Sequence, residues 1–156
     1  ENTIMRLEEL YAFQIKRIAK DTGEVLERAV KIGKATNPRL RLRKTISDHE
    51  PFGSVDYFVN VDEIWKSSTQ GLFWESKLTA KMERALRNKI FKKFPAYCGE
   101  GAGKTEMFIV NPTDTTENIR AIIMVCMNEI LSIIRLGEKP IVNLNQLDDL
   151  FKTGEL

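Results

Sequence analysis

The sequence is poor in the residues that build zinc and disulfide sites. It has two cysteines and one histidine in 156 residues, and neither cysteine belongs to a CxxC pair or has a histidine nearby. A zinc site needs clustered thiolates and imidazoles, and a disulfide framework needs several paired cysteines. The composition therefore excludes both classes and predicts reduced thiols in an intracellular, cytoplasmic protein.

Long apolar runs are also absent. The longest unbroken run, Ala121–Met127, is far shorter than the roughly 18 residues that a membrane-spanning helix needs. No secretory signal is present, and the chain begins at Glu1 without a methionine, so we expect processing or excision from a longer protein. With 42% hydrophobic and 29% charged residues, the chain is expected to bury a core and to have no membrane partner.

A phosphate-binding loop is present only in part. The stretch Cys98–Glu106, CGEGAGKTE, ends like a Walker A loop, G-x-x-x-x-G-K-[ST], but has cysteine in place of the first glycine. A working loop follows a strand and opens a helix. Here a predicted helix precedes the stretch and a predicted strand follows it, so we interpret it as a surface turn and expect no nucleotide cofactor.

The formal net charge of +2 conceals two basic blocks. Residues 31–44 carry six basic side chains and no acid, and residues 76–104 carry eight basic side chains against two acids. Such blocks are typical either of a polyanion-binding face or of solvated helices that are rich in lysine and arginine.

The spacing of apolar residues predicts an α+β fold. Strands are expected at 10–18, 25–33, 53–61 and 106–110. Helices are expected from Asn37–Pro38, where asparagine caps and proline fits the first turn, and also within 72–94, over 115–136, and from Asn143 to before Gly154. The expected fold is a small, mostly antiparallel sheet of three to four strands flanked by helices, with a helical C-terminal extension.

Four candidate functional residues follow one another along these elements. Tyr11 lies in the first strand, K-I-G (Lys31–Gly33) ends the second, Arg41 comes eight residues after that glycine, and Glu83 lies in the long helix. This ordered set resembles the GIY-YIG nuclease superfamily. The likeness is greatest to the branch found in bacteriophage and large-DNA-virus proteins, where K-I-G and a closing Glu-x-Phe strand are typical. Glu106–Phe108 fits the closing strand, and the resemblance covers residues 9 to 110.

The chain departs from the family pattern at four residues. Glu9 and Leu10 stand where the family has Gly-Ile, Lys31 replaces the second tyrosine, and Arg87 stands where the branch often has a histidine. The resemblance still implies a nuclease domain over 1–112. The remainder, 113–156, is expected to pack on that core or to mediate self-association.

The resemblance implies a DNA endonuclease that depends on Mg²⁺ or Mn²⁺. In this interpretation Tyr11 contacts or deprotonates the attacking water, Arg41 braces the phosphate, and Glu83 holds one divalent ion. Tyrosine has an ordinary pKa of about 10, and cationic Lys31 and Arg41 would favour its phenolate form. We expect these four side chains to converge on one pocket over the sheet.

Further residues are assigned supporting roles. Contacts with backbone phosphates are expected from six basic side chains, Lys34, Arg39, Arg43, Lys44, Arg84 and Arg87. Glu106 and His49 are candidate partners of the central residues, although a lone histidine in a loop, as His49 is expected to be, is more often simply exposed.

Structural and functional alternatives stay open at the level of sequence. The structural alternative for Tyr11 is an ordinary aromatic residue of a strand. For Arg41 it is a solvated helix residue, and for Glu83 it is an i,i+4 ion pair with Arg87. The same scaffold without turnover would be a nucleic-acid-binding or assembly module. Helix 115–136 is apolar around much of its circumference, which favours burial on several sides or a homodimer; a protein-interaction domain is the third alternative.

Overall fold

The computed structural model describes residues 6–95, 107–134 and 144–156. Within these residues it has five strands and four helices. In chain order they are β1 (Leu7–Ala19), β2 (Val25–Ala35), α1 (Pro38–His49), β3 (Tyr57–Lys66), β4 (Trp74–Glu75), α2 (Ser76–Phe91), β5 (Met107–Ile109), α3 (Thr116–Ile134) and α4 (Leu144–Lys152). The α+β class predicted from the sequence is confirmed.

The sheet is antiparallel throughout, with strand order β3-β1-β2-β5, and the short β4 pairs with the beginning of β1. β1 and β2 form a long hairpin whose turn contains Gly23 at a φ of 71°. This left-handed conformation strongly favours glycine, so the residue suits the turn. β1 is the central strand, and its two faces divide the core.

Alternate residues of β1 point to opposite faces of the sheet. The face that carries Leu10 and Ala12, here called the α2 face, is covered by apolar residues of α2, α3 and α4. The face that carries Tyr11 and Phe13, here called the α1 face, packs against Leu42 of α1. The residues predicted for the site are therefore distributed over two separate packing layers.

Helix α1 begins as predicted. The Asn37 side chain accepts a hydrogen bond from the Leu40 amide at 3.4 Å, and Pro38 occupies the first turn. At the other end, His49 is the last residue of α1 and is buried. The expectation of an exposed loop histidine was wrong because α1 continues to His49 and packs against β3.

The third strand begins later than predicted. Residues 53–56 stay outside it because the Ser54 hydroxyl accepts hydrogen bonds from the amides of Asp56 and Tyr57, which closes a local turn. The strand then continues to Lys66. The two-residue β4 was not predicted. The predicted helix start at Asn143 and the predicted helix end at 136 lie outside the described residues.

Helix α3 belongs to the same hydrophobic core as the sheet. Its residues Ile119, Ile123 and Met127 are fully buried beside α2, whereas Val125 on the opposite side is half exposed. The helix therefore buries one stripe within the chain, and self-association stays a prediction. No helix in the described part of the chain has the length and apolarity needed to cross a bilayer.

Candidate nucleic-acid and metal site

The hairpin register brings Glu9, Tyr11 and Lys31 to the α1 face. Glu9 pairs with Ala35, Tyr11 with Gly33, and Phe13 with Lys31. Directly opposed residues of an antiparallel pair point to the same side of a sheet. Glu9, Tyr11 and Lys31 therefore share one face of neighbouring strands.

Tyr11 lies against the glycine of the K-I-G motif. Its ring stacks on Phe13 with centroids 4.1 Å apart, and only 2% of the residue is exposed. A Cβ atom built on Gly33 would lie 2.2 Å from the Tyr11 hydroxyl oxygen. The motif therefore needs glycine because the tyrosine ring occupies the space where any side chain would begin.

Arg41 lies at the end of this face where β2 leads into α1. It is exposed, and it lines an open pocket of about 370 Å³ together with Ala35, Thr36, Asn37, Leu40 and Lys44. Ala35 belongs to the Tyr11 cluster and so joins the pocket to that layer of the core. Arg41 and Lys44 place two positive charges on the rim of this pocket, and the pocket therefore suits an anionic group.

Glu83 is not brought to the same face. It lies on α2, whose buried residues Met82 and Leu86 pack against the α2 face. Its carboxylate forms an ion pair with Arg87 at 3.2 Å, and 7% of the residue is exposed. Of the four residues expected to converge, Tyr11 and Lys31 share the α1 face through the strand register. Arg41 lies on α1, which packs on that face. Glu83 lies on α2, which packs on the other face.

A second polar cluster lies at the start of β1. The Lys34 ammonium forms a salt bridge with Glu8 at 3.0 Å and is 3.5 Å from the Ser76 hydroxyl. Burial acts to raise the pKa of Glu8, but hydrogen bonds from Ser76 and Lys34 and the charges of Lys34 and Arg41 outweigh it, so the pKa is lowered. The positive charge of Lys34 is therefore partly balanced by Glu8 before any anion binds.

The remaining basic candidates separate into two groups. Arg39, Arg43 and Lys44 are exposed on α1. On α2, the Arg84 guanidinium lies 4.3 Å from the centre of the Phe151 ring of α4, and Arg87 pairs with Glu83. α1 and α2 pack on opposite faces of the sheet, so the exposed cations of α1 and the Arg84 and Arg87 side chains of α2 belong to different helical layers.

Of the two candidate partner residues, only His49 lies in the described part of the chain, and it does not join Arg41. His49 is eight residues further along α1, which is about 12 Å at 1.5 Å per residue. Glu106 lies outside the described residues, as does the Walker-like stretch that it ends. The prediction for Glu106 is therefore left untested by the structure.

Glu9 is the residue that sequence reasoning missed. It appeared only as a departure from the family glycine, yet it is buried on the same face as Tyr11. The available signal was its position in a strand: a carboxylate two residues before Tyr11 on an otherwise apolar alternating face. Such a charge needs a partner or a function.

A divalent ion is compatible with this donor set. Among the described residues, no group of three or more His, Cys, Asp or Glu side chains lies together as a ready metal cage. Mg²⁺ often uses only one or two carboxylates, keeping several waters and taking phosphate oxygens from the substrate. One buried carboxylate on this face, Glu9, is therefore compatible with a Mg²⁺ ion that takes its other ligands from water and phosphate.

Comparison with known proteins gives no assignment. Neither the family models, nor the curated proteins, nor the solved structures contain a match to this chain. The functional argument therefore depends on the arrangement of residues described above.

Proposed function

We propose that the chain is a divalent-metal-dependent DNA endonuclease that hydrolyses phosphodiester bonds. The observation that carries the proposal is the convergence of Tyr11 and Lys31 on one face of the hairpin, with Arg41 beside an open pocket at its end. A phenol and two cations are the groups that this reaction needs around a phosphate.

The proposed step is a hydrolysis in which one P–O bond forms and one breaks. A water molecule attacks phosphorus and gives up a proton to the Tyr11 oxygen, while the leaving sugar oxygen takes a proton from solvent. Lys31, two pairs further along the ladder from Gly33 and so on the same face, favours the phenolate form of the tyrosine because it is a neighbouring cation.

Arg41 acts on the phosphate. Its guanidinium has several N–H donors in a fixed plane, which suits the oxygens of a phosphate and of the pentavalent transition state. A bound divalent ion would supply Lewis-acid stabilisation of the developing charge. Lys44 and the exposed Arg39 and Arg43 extend this positive charge along α1 and support binding to the DNA backbone without reading base sequence.

Nicking of supercoiled plasmid tests the proposal. Wild type with Mg²⁺ or Mn²⁺ is expected to produce nicked circles, and chelation of the metal is expected to stop it. Arg41→Ala and Tyr11→Phe are each expected to lower the rate by about 10²-fold or more, because each removes a group that stabilises the transition state or accepts a proton. Wild type that binds DNA but never nicks under either metal would rule out the enzyme.

A second function is favoured by two observations. Tyr11 is almost completely buried, and Glu83 lies on the helix that covers the opposite face. Both suit a nucleic-acid-binding module on the same scaffold that does not turn over substrate. In that case a gel shift would weaken steeply with salt, Arg41→Ala would weaken the shift, and no variant would change a nicking rate. Failure to shift DNA at low salt would instead favour an interaction domain formed by the C-terminal helices.

A further inference from the structure

Strand β3 is an edge of the sheet, with β1 beside it and no other strand of the described chain on its outer side. Its pairing with β1 is regular between Tyr57 and Glu63, and the register shift comes only after that run. A regular, unpaired edge presents a row of backbone N–H and C=O groups, which is a template for another strand. The outer side of β3 is therefore a candidate interaction surface.

The hydrogen-bonding direction of each β3 residue follows from a contact at the start of the strand. The Lys20 amide donates to the Asp56 carbonyl at 2.9 Å, so Asp56 and every second residue after it bond inward, to β1, and the alternate residues face outward. At Tyr57 the outward groups are used by Ser54, which donates to the carbonyl and accepts from the amide. The next three outward-facing residues form no outward hydrogen bond with the described part of the chain: Val59, Val61 and Glu63.

A second copy of the chain fits this row in one antiparallel register. With Val61 opposite the partner's Val61, Val59 lies opposite the partner's Glu63, and every outward position of the run is paired. This gives about six hydrogen bonds, two for each pair. A shift of the register in one direction brings in Tyr57, whose outward groups are already used. A shift in the other direction places Asp62 opposite the partner's Asp62, and like charges in that position are destabilising.

The side chains are complementary in the register centred on Val61. On the α2 face, Asn60 lies opposite the partner's Asp62, so an amide donor meets a carboxylate, and the twofold symmetry repeats the pair. Asp62 is exposed and Asn60 is half-buried. On the α1 face the two Val61 side chains lie opposite each other. They extend an apolar row across the sheet, in which Ala29 pairs with Ile15 and Ile15 with Val61.

The outer side of β3 is accessible at its beginning. An open pocket of about 330 Å³ lies there, and its lining includes Phe58 and Val59 of the strand and Glu50 of the preceding turn. Phe58 is 43% exposed. A partner strand in the proposed register brings the partner's Lys66 toward this end, where Glu50 and Asp56 are exposed acids. Opposite charges therefore meet at the two ends of the interface.

We propose that the chain forms a symmetric homodimer in which the β3 strands of two copies pair antiparallel about Val61 and join the two sheets into one. A second copy is the occupant because the strand is complementary to itself in the register that uses all the outward groups. The twofold axis is perpendicular to the sheet, so the α1 faces of both copies lie on the same side. The interface differs from the helix 115–136 expected from the sequence, and it does not depend on the endonuclease function.

Sedimentation equilibrium of the full chain measures the dissociation constant of the dimer. Asn60→Asp places a carboxylate opposite the partner's Asp62 and is expected to weaken association about tenfold, since like charges directly opposite are destabilising. Adding Asp62→Asn exchanges the two groups and is expected to restore most of the affinity, which a loss of fold stability alone would not do. Asn128→Asp is the matched control, because Asn128 is exposed on α3 and the same charge change there should leave the constant unchanged.

Disulfide trapping tests the register. A mixture of Asn60→Cys chains and Asp62→Cys chains is expected to cross-link on mild oxidation, because directly opposed residues lie about 4.5–5.5 Å apart, within reach of a disulfide. Either variant alone should cross-link more slowly, since its cysteines would be diagonal neighbours about 7–8 Å apart. Wild type oxidised in the same way controls for the native cysteines.

Three results would overturn the proposal. The first is a wild type that stays monomeric at every concentration measured. The second is a dimer that Asn60→Asp leaves unchanged while Val125→Lys dissociates it, which would place the interface on α3, where Val125 is half exposed. The third is equal cross-linking of the mixture and of the single cysteine variants. If Asn60→Asp does not fold, the cross-linking decides, and none of these measurements depends on DNA cleavage.

Discussion

The Tyr11 hydroxyl lies where the Cβ atom of residue 33 would otherwise be, since a Cβ built on Gly33 comes within 2.2 Å of that oxygen. This close approach joins the two motifs of the hairpin. It makes the identity of one residue depend on the side chain of the other.

Gly33→Ala is therefore expected to destabilise the fold by about 1–3 kcal/mol, the usual cost of forcing an extra carbon into a filled site. Tyr11→Leu in the same background should recover much of that stability, because the space is vacated. Urea unfolding of the two single variants and the double variant measures the coupling. Gly53→Ala is the control, since its nearest contact would be an ordinary 3.4 Å; additive effects at 11 and 33 would contradict the interpretation.

The Glu8 pKa predicts a pH-dependent contribution to stability. Burial acts to raise that pKa, but Ser76, Lys34 and Arg41 together hold it below its ordinary 4.5. The stabilisation of the fold by the Glu8 carboxylate is therefore present above about pH 4.5 and disappears as the pH falls through the folded-state pKa. Glu8→Gln should lower the free energy of unfolding at pH 7 by about 0.5–1 kcal/mol. The difference from wild type should vanish in acid, and a difference that stays constant down to about pH 2 would refute the prediction.

Arg28 is predicted to be the costliest arginine to remove. It is 3% exposed, donates to the Gln14 side chain at 2.7 and 2.9 Å, and also bonds the Asp114 carbonyl and the Thr116 hydroxyl. Arg28→Ala leaves the buried Gln14 oxygen unpaired and removes the bonds to the half-buried Asp114 carbonyl and Thr116 hydroxyl, which together should cost about 3 kcal/mol.

Arg17→Ala is the comparison for Arg28. Arg17 pairs with Glu27 where both side chains are one-third exposed, and such a pair contributes about 1 kcal/mol or less. Chemical denaturation of both variants tests the order. Equal destabilisation would contradict the role of Arg28 in joining the sheet to the start of α3.

The two basic helices are predicted to contribute unequally to DNA binding. Neutralising Arg39, Arg43 and Lys44 on α1 should weaken binding and lower the slope of log K against log salt by about 0.7–0.9 for each phosphate that the protein no longer neutralises. Neutralising Arg84 and Arg87 should change the slope little, since they contact Phe151 and Glu83. Fluorescence anisotropy at several salt concentrations measures both. Equal slopes for the two variants would show that α2 also contacts DNA.

Local signals in the sequence predicted most of the elements. Alternation of apolar residues identified β1 and β2, and Asn37–Pro38 identified the start of α1, because these features act within a few residues. The beginning of β3 was missed because the Ser54 hydroxyl competes for two backbone amides. That competition depends on side-chain geometry rather than on hydropathy.

The candidate site also depends partly on local sequence and partly on tertiary packing. The sequence by itself determined that Tyr11 and Lys31 lie on neighbouring strands, since a hairpin is a local structure and its turn follows from nearby residues. Only the tertiary structure decided which layer each functional side chain joins. Helix α2 packs on the face opposite Tyr11, so the carboxylates that share the face of the phenol come from the strands, among them Glu9 and Glu63. A strand's period of two assigns relative sides, but the side on which a distant helix docks depends on packing over the whole core.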